Sequence, residues 1–225
     1  MRIVFQNSSI VITANDVNLS IFKPLWLQKN QIFREEELQG QVVITPVAVQ
    51  IATQRFQFMV VPNRIQMMFP SEYPEALSDI SRVLGGIVQT LPHTPYSAIG
   101  INFNYMAAPK DEKTFPSLNS RLFGSEFAKQ IHTVEDNDAR FGSYFTFDLI
   151  GTRLKIDMKP VKGSSNINSL CSSWHRGQDL LAFNFNFHKD LTKPDQNVDI
   201  ILTILNKWSE ALSLSRQIIE KLPGE

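Results

Sequence analysis

The sequence predicts an α+β protein with one or two mostly antiparallel sheets, covered on one face by a mid-chain helix and a long C-terminal helix. Three observations favour this class. Strand-length segments that alternate apolar and polar residues occur in both halves of the 225-residue chain. Two hairpins can be drawn that place their phenylalanines on one face. Helical periodicity is strongest in one mid-chain segment and in the C-terminal segment.

The N-terminal third reads as strands. Arg2–Gln6 and Ser9–Thr13 flank Asn7-Ser8, which is a signal for a short hairpin turn. Val17–Phe22 is predicted as a further strand. The charged stretch 28–40 then predicts a surface loop or a single helical turn.

The next β-rich segment is Val42–Ile51, which Pro46 interrupts. Proline has no N–H to donate to a neighbouring strand, so we expect an edge position or a bulge there.

Two hairpins are defined by their side-chain pattern. In the first, Val61 lies opposite Arg64, which brings Phe58 opposite Met67 and Phe56 opposite Phe69. Because proline does not suit the primed two-residue turns, we expect a loop longer than Pro62-Asn63. In the second, Gly151-Thr152 forms the turn, and the predicted pairs are Leu149 with Leu154, Phe147 with Ile156 and Phe145 with Met158.

The first helix is predicted over 73–91, with an apolar stripe at Leu77, Ile80, Leu84, Ile87 and Leu91. The glycine pair at 85 and 86 weakens its middle, and close packing against a strand is the expected reason.

The second helix is predicted over 195–222 and would be about 40 Å long. Its apolar residues recur with heptad spacing, as in helices that pair with one another. We therefore predict an oligomer interface, with a homodimer favoured, at Ile201, Leu205, Trp208, Leu212 and Ile219.

The chain divides into a β-rich half with the first helix, residues 1–107, a connecting segment, 108–140, and a second half, 141–225. A short helix is expected near Ser120–Ile131. The halves either form one domain or are separate. Aromatic rows are predicted to supply the sheet side of the core: Phe56/Phe58, Phe103/Tyr105, Phe145/Phe147 and Phe183/Phe185/Phe187.

Composition argues against several functions. Lys and Arg total 22, as do Asp and Glu, so no net charge attracts nucleic acid or an anionic membrane. The single cysteine permits no internal disulfide, which suits the cytoplasm. No run approaches the roughly 20 apolar residues of a membrane helix. The four histidines have no metal-ligand spacing, so we expect neither metal nor cofactor.

Two strand segments break the usual composition of strands. In each, large apolar residues alternate with asparagine, which is a poor strand former. If the strands are neighbours, their polar residues form one patch that could recognise a peptide or a polar small molecule. The alternative is an ordinary solvated sheet face. The predicted binding residues are Asn102, Asn104, Asn184, Asn186 and His188.

A second candidate lies in the long connection 160–179. Trp174, His175 and Arg176 are residue types enriched in binding hot spots, although a tryptophan that anchors the loop to the core would look the same. Cys171 and His175 would form a thiol–imidazole pair if the turn between them were helical. The alternative is a small buried cysteine beside an exposed histidine.

The sequence is compatible with three functions. The preferred one is a non-catalytic interaction or scaffold protein that acts as a homo-oligomer. The second is a binder of a small ligand in an aromatic-lined cavity between the sheet and the C-terminal helix. The third, least favoured, is a hydrolase or transferase that uses Cys171 and His175.

Overall fold

The computed structural model describes residues 2–109, 112–124, 142–163, 177–193 and 196–221. It is an α+β fold built on one antiparallel sheet of nine strands in the order β2-β3-β4-β5-β1-β6-β9-β8-β7. The strands are β1 (Arg2–Ala14), β2 (Gln41–Ile44), β3 (Val49–Ala52), β4 (Gln57–Val61), β5 (Arg64–Phe69), β6 (Tyr96–Ala108), β7 (Ser143–Leu149), β8 (Thr152–Lys162) and β9 (Asp179–Asp190).

Helices cover one face of this sheet. A helix with a π-helical middle occupies the mid-chain segment, and two helices follow β9. The α-helices are α1 (Pro24–Lys29), α2 (Glu35–Leu38), α3 (Ala76–Ile80), α4 (Gly86–Thr90), α5 (Phe115–Phe123), α6 (Asn197–Asn206) and α7 (Trp208–Glu220), with the π-helix at Ser81–Gly85 between α3 and α4.

Alternation along the strands separates a helix-covered face from an open one. Over Ile101–Ala107 of β6 and Leu181–Phe187 of β9, the residues facing the helices are buried and the residues between them are only partly buried. Trp208 of α7 packs against Phe69 and Phe103, with ring centroids 6.2 and 5.9 Å apart. The core is therefore rich in aromatic side chains, as the predicted aromatic rows indicated. The row Phe145/Phe147 is the exception, because these side chains remain 48 and 40% exposed.

The two halves of the sequence share this sheet. The first-half strand β6 lies beside the central strand β1 and pairs with β9 of the second half over ten residues, from Ala98–Asp190 to Ala107–Leu181. One continuous sheet therefore contains strands from both sides of the proposed division of the chain.

The predicted N-terminal hairpin is wrong. Residues Arg2–Ala14 form one strand of 13 residues, which pairs with β5 on one side and β6 on the other. A bulge between Phe5 and Asn7 is the only trace of the expected interruption. Asn7 lies in the sheet because its side-chain oxygen accepts a hydrogen bond from Asn104 Nδ2 at 2.7 Å, which replaces the turn that asparagine otherwise favours.

The region before β3 also differs in part from expectation. The segment predicted as a strand over Val17–Phe22 contains a 3₁₀ turn at Leu19–Ile21, capped by the Asn18 side chain. Of the two alternatives for 28–40, a surface loop or a single helical turn, the structure has the helical turn at α2. Pro46 lies in the turn between β2 and β3. The strand β2 is an edge strand, which is one of the two positions expected from Pro46.

The first hairpin has the predicted register, with Val61 opposite Arg64 and Phe58 opposite Met67. The expected longer loop is wrong, because Pro62-Asn63 alone joins the strands.

In the second hairpin the register differs by two residues. Its turn is Ile150-Gly151, and Leu149 pairs with Thr152. Both turn residues have positive φ, 50° and 75°, which is the twist that suits a two-residue hairpin turn. Because side chains alternate with period two, the shift leaves every residue on its predicted face.

The mid-chain helix is confirmed and runs through Ala76–Thr90. Its glycines do not pack on a strand as expected. A Cβ added to Gly85 would lie 3.5 Å from Leu202 of α6, and one added to Gly86 would lie 3.4 Å from Ile32. The close partners are therefore a helix and a loop.

The prediction of a single C-terminal helix about 40 Å long is wrong, because the helix is interrupted at Lys207 between α6 and α7. There the Lys207 backbone leaves the helical conformation, with ψ near 3°, and its ammonium group donates to the Ile150 carbonyl at 2.8 Å. The short helix expected near Ser120–Ile131 is α5, which begins five residues earlier and ends at Phe123; residues beyond 124 lie outside the described part.

Candidate functional site

The face of the sheet opposite the helices carries the asparagines that the sequence singled out. We call this surface the open face. On the adjacent strands β6 and β9, Asn102 lies opposite Asn186 and Asn104 lies opposite Asn184. The prediction that these strands are neighbours is confirmed, and the four side chains form one continuous polar patch.

Two rows of hydrogen bonds cross the patch; we call them the amide rows. In one, Asn184 Nδ2 donates to Asn104 Oδ1 at 2.6 Å, and Asn104 in turn donates to Asn7 at 2.7 Å. In the other, Asn186 Nδ2 donates to Asn102 Oδ1 at 2.6 Å, and Asn102 lies 3.4 Å from Ser9 Oγ. Every amide donates toward β1, so part of the hydrogen-bonding capacity of each side chain is used within the sheet.

The open face is almost uncharged at its centre. The strands β3, β4, β5 and β6, together with Asn7–Thr13 of β1, contain Arg64 as their single charged residue. A shallow hollow of about 290 Å³ lies toward the β2 edge. Its lining includes the amides of Gln50, Gln57 and Gln66 and the thioethers of Met59 and Met68.

Charged side chains begin at β8 and at the Asp190 end of β9. Lys155 pairs in register with Asn186, Asp157 with Asn184 and Arg153 with His188. His188 Nε2 lies 3.0 Å from Asp190 Oδ1 on the same strand. The open face therefore has an uncharged centre and a charged margin on the β8 side.

The predicted oligomer residues on the C-terminal helices face the sheet of their own chain. Ile201, Leu205, Trp208 and Ile219 are at most 4% exposed, and Leu212 is partly buried against the same core. Ser215 of α7 shares a 2.8 Å hydrogen bond with Tyr105, whose pKa burial raises to about 12. An interface between copies would have to use other surfaces of the chain.

The remaining predicted residues, Cys171, Trp174, His175 and Arg176, lie outside the described residues. Their proposed roles in contact or catalysis stay predictions.

A buried ion cluster was not predicted from the sequence. Arg82 of the π-helix donates to both Glu37 and Asp79 at 2.8 Å, and Arg55 reaches the same two carboxylates at 3.2 and 3.1 Å. The Tyr73 hydroxyl donates to Asp79 at 2.5 Å. The signal in the sequence was the pair Asp79 and Arg82, three residues apart in an apolar helix.

The cluster is electrostatically balanced. Burial alone would raise the pKa of Asp79, but hydrogen bonds from Tyr73 and Arg82 and the charges of Arg55 and Arg82 outweigh burial and hold that pKa below its usual value. Burial and the hydrogen bond to Asp79 raise the pKa of Tyr73. Each carboxylate accepts from guanidinium groups, so we interpret the cluster as a structural tie between α2, the mid-chain helix and the β3–β4 connection.

Comparison with protein-family models and with curated proteins gave no match. In the described part of the chain, no group of three or more His, Cys, Asp or Glu side chains is placed to hold a metal ion. No helix within the described ranges is both long and apolar enough to cross a membrane.

Proposed function

We propose that this chain is a non-catalytic protein-interaction protein that acts as a homo-oligomer and presents the open face to a protein partner of low charge. The observation that carries the proposal is the uncharged centre of that face beside a charged margin. The cores of protein interfaces are depleted of charged residues and enriched in methionine, whereas their rims are polar. Met59, Met68 and the amides of Asn102 and Asn104 follow this pattern.

The surface also has the chemistry to orient a partner. The amide rows fix the rotamers of Asn102, Asn104, Asn184 and Asn186, so little side-chain entropy is lost when a partner binds. An ordinary solvated sheet face would be expected to carry lysine and glutamate at such positions. The near-zero net charge of the whole chain, with 22 residues of each sign, is compatible with association.

The test places a charge at the centre of the open face. Gln66→Glu adds a charge beside Met59 without changing side-chain length, and Glu210→Lys on the exposed surface of α7 is the matched control. We expect the immobilised Gln66→Glu chain to retain at least ~10-fold less of the proteins that the wild-type chain binds, because an unpaired charge in an interface core is strongly unfavourable. The immobilised Glu210→Lys chain should retain the same amount as the wild type. Equal retention by all three would contradict the use of this face.

A small polar ligand is the second candidate, favoured by the hollow of about 290 Å³ on the open face. This volume lies at the lower end of ligand pockets. A metabolite panel in a thermal-shift assay, repeated on Gln57→Leu, tests it. A ligand that raises the midpoint of the wild type and not of the variant would favour this function.

A further inference from the structure

The two edges of the sheet differ in how well they are protected against pairing. At one edge, β2 has four residues and is followed two positions later by Pro46. At the other, β7 has seven residues, Ser143–Leu149, with no lysine, proline or bulge among them. Natural sheets protect long edges with such features, and an edge without them is a template for another strand. We call Ser143–Leu149 the β7 edge.

The side chains of the β7 edge are unusually apolar for an exposed strand. Tyr144, Phe145 and Phe147 are 60, 48 and 40% exposed. Phe145 and Phe147 lie on the helix-covered face, opposite Ile156 and Leu154 of β8. Among the described residues, their cross-strand apolar partners thus lie on the β8 side only.

The hairpin turn determines which main-chain N–H and C=O groups of β7 point toward β8 and which point outward. In a two-residue hairpin the pair that flanks the turn, here Leu149 and Thr152, exchanges both main-chain hydrogen bonds. Hydrogen-bonded pairs alternate along the ladder, so Phe147 and Phe145 also direct their N–H and C=O groups toward β8. The main-chain groups of Tyr144, Thr146 and Asp148 therefore point away from the sheet, toward a potential partner strand.

A second copy of β7 fits these groups in one register. When two β7 strands run antiparallel about Thr146, that residue faces itself and Tyr144 faces Asp148 of the second copy. Every outward N–H then meets an outward C=O, which gives roughly six main-chain hydrogen bonds. A register displaced by one residue would place inward-directed groups opposite outward-directed ones, and larger displacements shorten the overlap of a seven-residue strand.

The side chains are complementary in the same register. Phe145 faces Phe147 of the second copy twice, at the non-hydrogen-bonded positions where side chains approach most closely. On the other face Asp148 is the one charged residue, and it faces Tyr144. Its own-chain partner Arg153 lies 3.0 Å away, so no like charges meet.

We infer that this chain forms a symmetric dimer through antiparallel pairing of two β7 edges centred on Thr146. The inference rests on the homo-oligomer part of the proposed function and names its interface. The two-fold axis runs perpendicular to the sheet, because that rotation reverses the strand and keeps each face on its own side. The two open faces then lie on one side of a continuous sheet, with the Phe145–Phe147 pairs on the helix-covered side.

The test uses a charge pair that only this register can bring together. Phe145→Lys places lysine opposite Phe147 of the second copy, and Phe147→Glu places glutamate opposite Phe145. Each variant alone should raise the dimer dissociation constant at least ~10-fold in light scattering. Mixing the two should restore the dimer, since the introduced lysine meets the introduced glutamate once and the second Phe–Phe pair is intact. Val43→Lys on β2 is the matched edge control and should leave the dimer unchanged.

A variant that leaves the side-chain pairs intact separates folding from pairing. Thr146→Pro removes the outward N–H at the axis, a position where edge strands tolerate proline. It should abolish the dimer while far-ultraviolet circular dichroism is unchanged. If the wild type is monomeric up to several hundred micromolar, the homo-oligomer itself is contradicted. If the wild type is a dimer that Phe145→Lys and Thr146→Pro leave intact, the β7 interface is overturned and the proposed function is not.

Discussion

Phenylalanines near the two ends of the same sheet differ in how deeply their side chains are buried. At one end, Phe56 and Phe58 are each 1% exposed. At the other, Phe145 and Phe147 occupy the same face and remain 48 and 40% exposed. Alternation along a strand therefore fixes which face a side chain occupies, and coverage by other elements decides whether it is buried.

The coverage at the first end comes from the connection between β1 and β2. Phe33 packs on Phe56 and Phe58 with ring centroids 5.9 and 5.2 Å apart, and Phe22 also contacts Phe58. The ion cluster of Glu37, Asp79 and Arg82 attaches this connection to the mid-chain helix. The β7 end instead presents its aromatic side chains at an edge, which is why we assign pairing to it.

The largest expected effect compares one phenylalanine from each end. Phe58→Ala should lower the free energy of unfolding by about 3–5 kcal/mol, because it leaves a cavity in a packed core. Phe147→Ala should cost less than about 1 kcal/mol in the monomer, since much of that ring is already in water. Urea unfolding at low protein concentration measures both. Similar losses would mean that the two ends do not differ in coverage.

The ion cluster gives an effect of comparable size that also depends on pH. Arg82→Met leaves Glu37 and Asp79 buried without their main partner and should cost about 3–5 kcal/mol. The control Arg153→Met breaks an exposed ion pair at the β7 end and should cost at most about 1 kcal/mol. Urea unfolding at neutral pH compares the two, and equal losses would contradict a stabilising role for the buried cluster.

The pH dependence follows from the lowered pKa of Asp79. Its stabilising effect is fully present above the unfolded-state pKa of 3.8 and is lost as pH falls through the lower folded-state pKa. The wild type should therefore lose stability below about pH 4, and Asp79→Asn should lose less over the same range while being less stable at neutral pH. Thermal melts across acidic pH test this. A parallel pH profile for the variant would show that Asp79 has no such role.

The smallest effect concerns the tie between the C-terminal helices and the β7–β8 hairpin. Lys207→Met removes the hydrogen bond to the Ile150 carbonyl and should cost about 1.5–3 kcal/mol, as expected for a bond to a charged donor. Lys159→Met, at an exposed position on β8, should change the free energy of unfolding by less than ~0.5 kcal/mol. If the two substitutions have equal effects, the Lys207 contact does not stabilise the hairpin.

The sequence predicts the fold class and much of the pairing because these depend on local pattern. Phe58 opposite Met67 follows from matching apolar faces, and the adjacency of the asparagine strands was confirmed. The prediction of an N-terminal hairpin was wrong because it relied on the turn propensity of Asn7-Ser8. A long-range hydrogen bond from Asn104 stabilises Asn7 in a strand instead.

The rest depended on contacts between distant segments. Glu37 lies in a charged stretch that reads as solvated, and only the fold brings Arg82 to it from 45 positions away. The heptad stripe of the C-terminal helix predicted a partner chain, yet Ile201, Leu205 and Trp208 pack on their own sheet. An apolar stripe specifies burial without specifying which surface buries it.

The most direct measurement of the β7 interface is hydrogen–deuterium exchange of the wild type at two protein concentrations, one far below and one far above the dimer dissociation constant. We predict that peptides covering Ser143–Leu149 become more protected at the higher concentration, because the outward amides of Tyr144, Thr146 and Asp148 are then hydrogen-bonded, while peptides covering Gln41–Ile44 do not change. Exchange in β7 that is independent of concentration while a dimer is present would contradict the assignment.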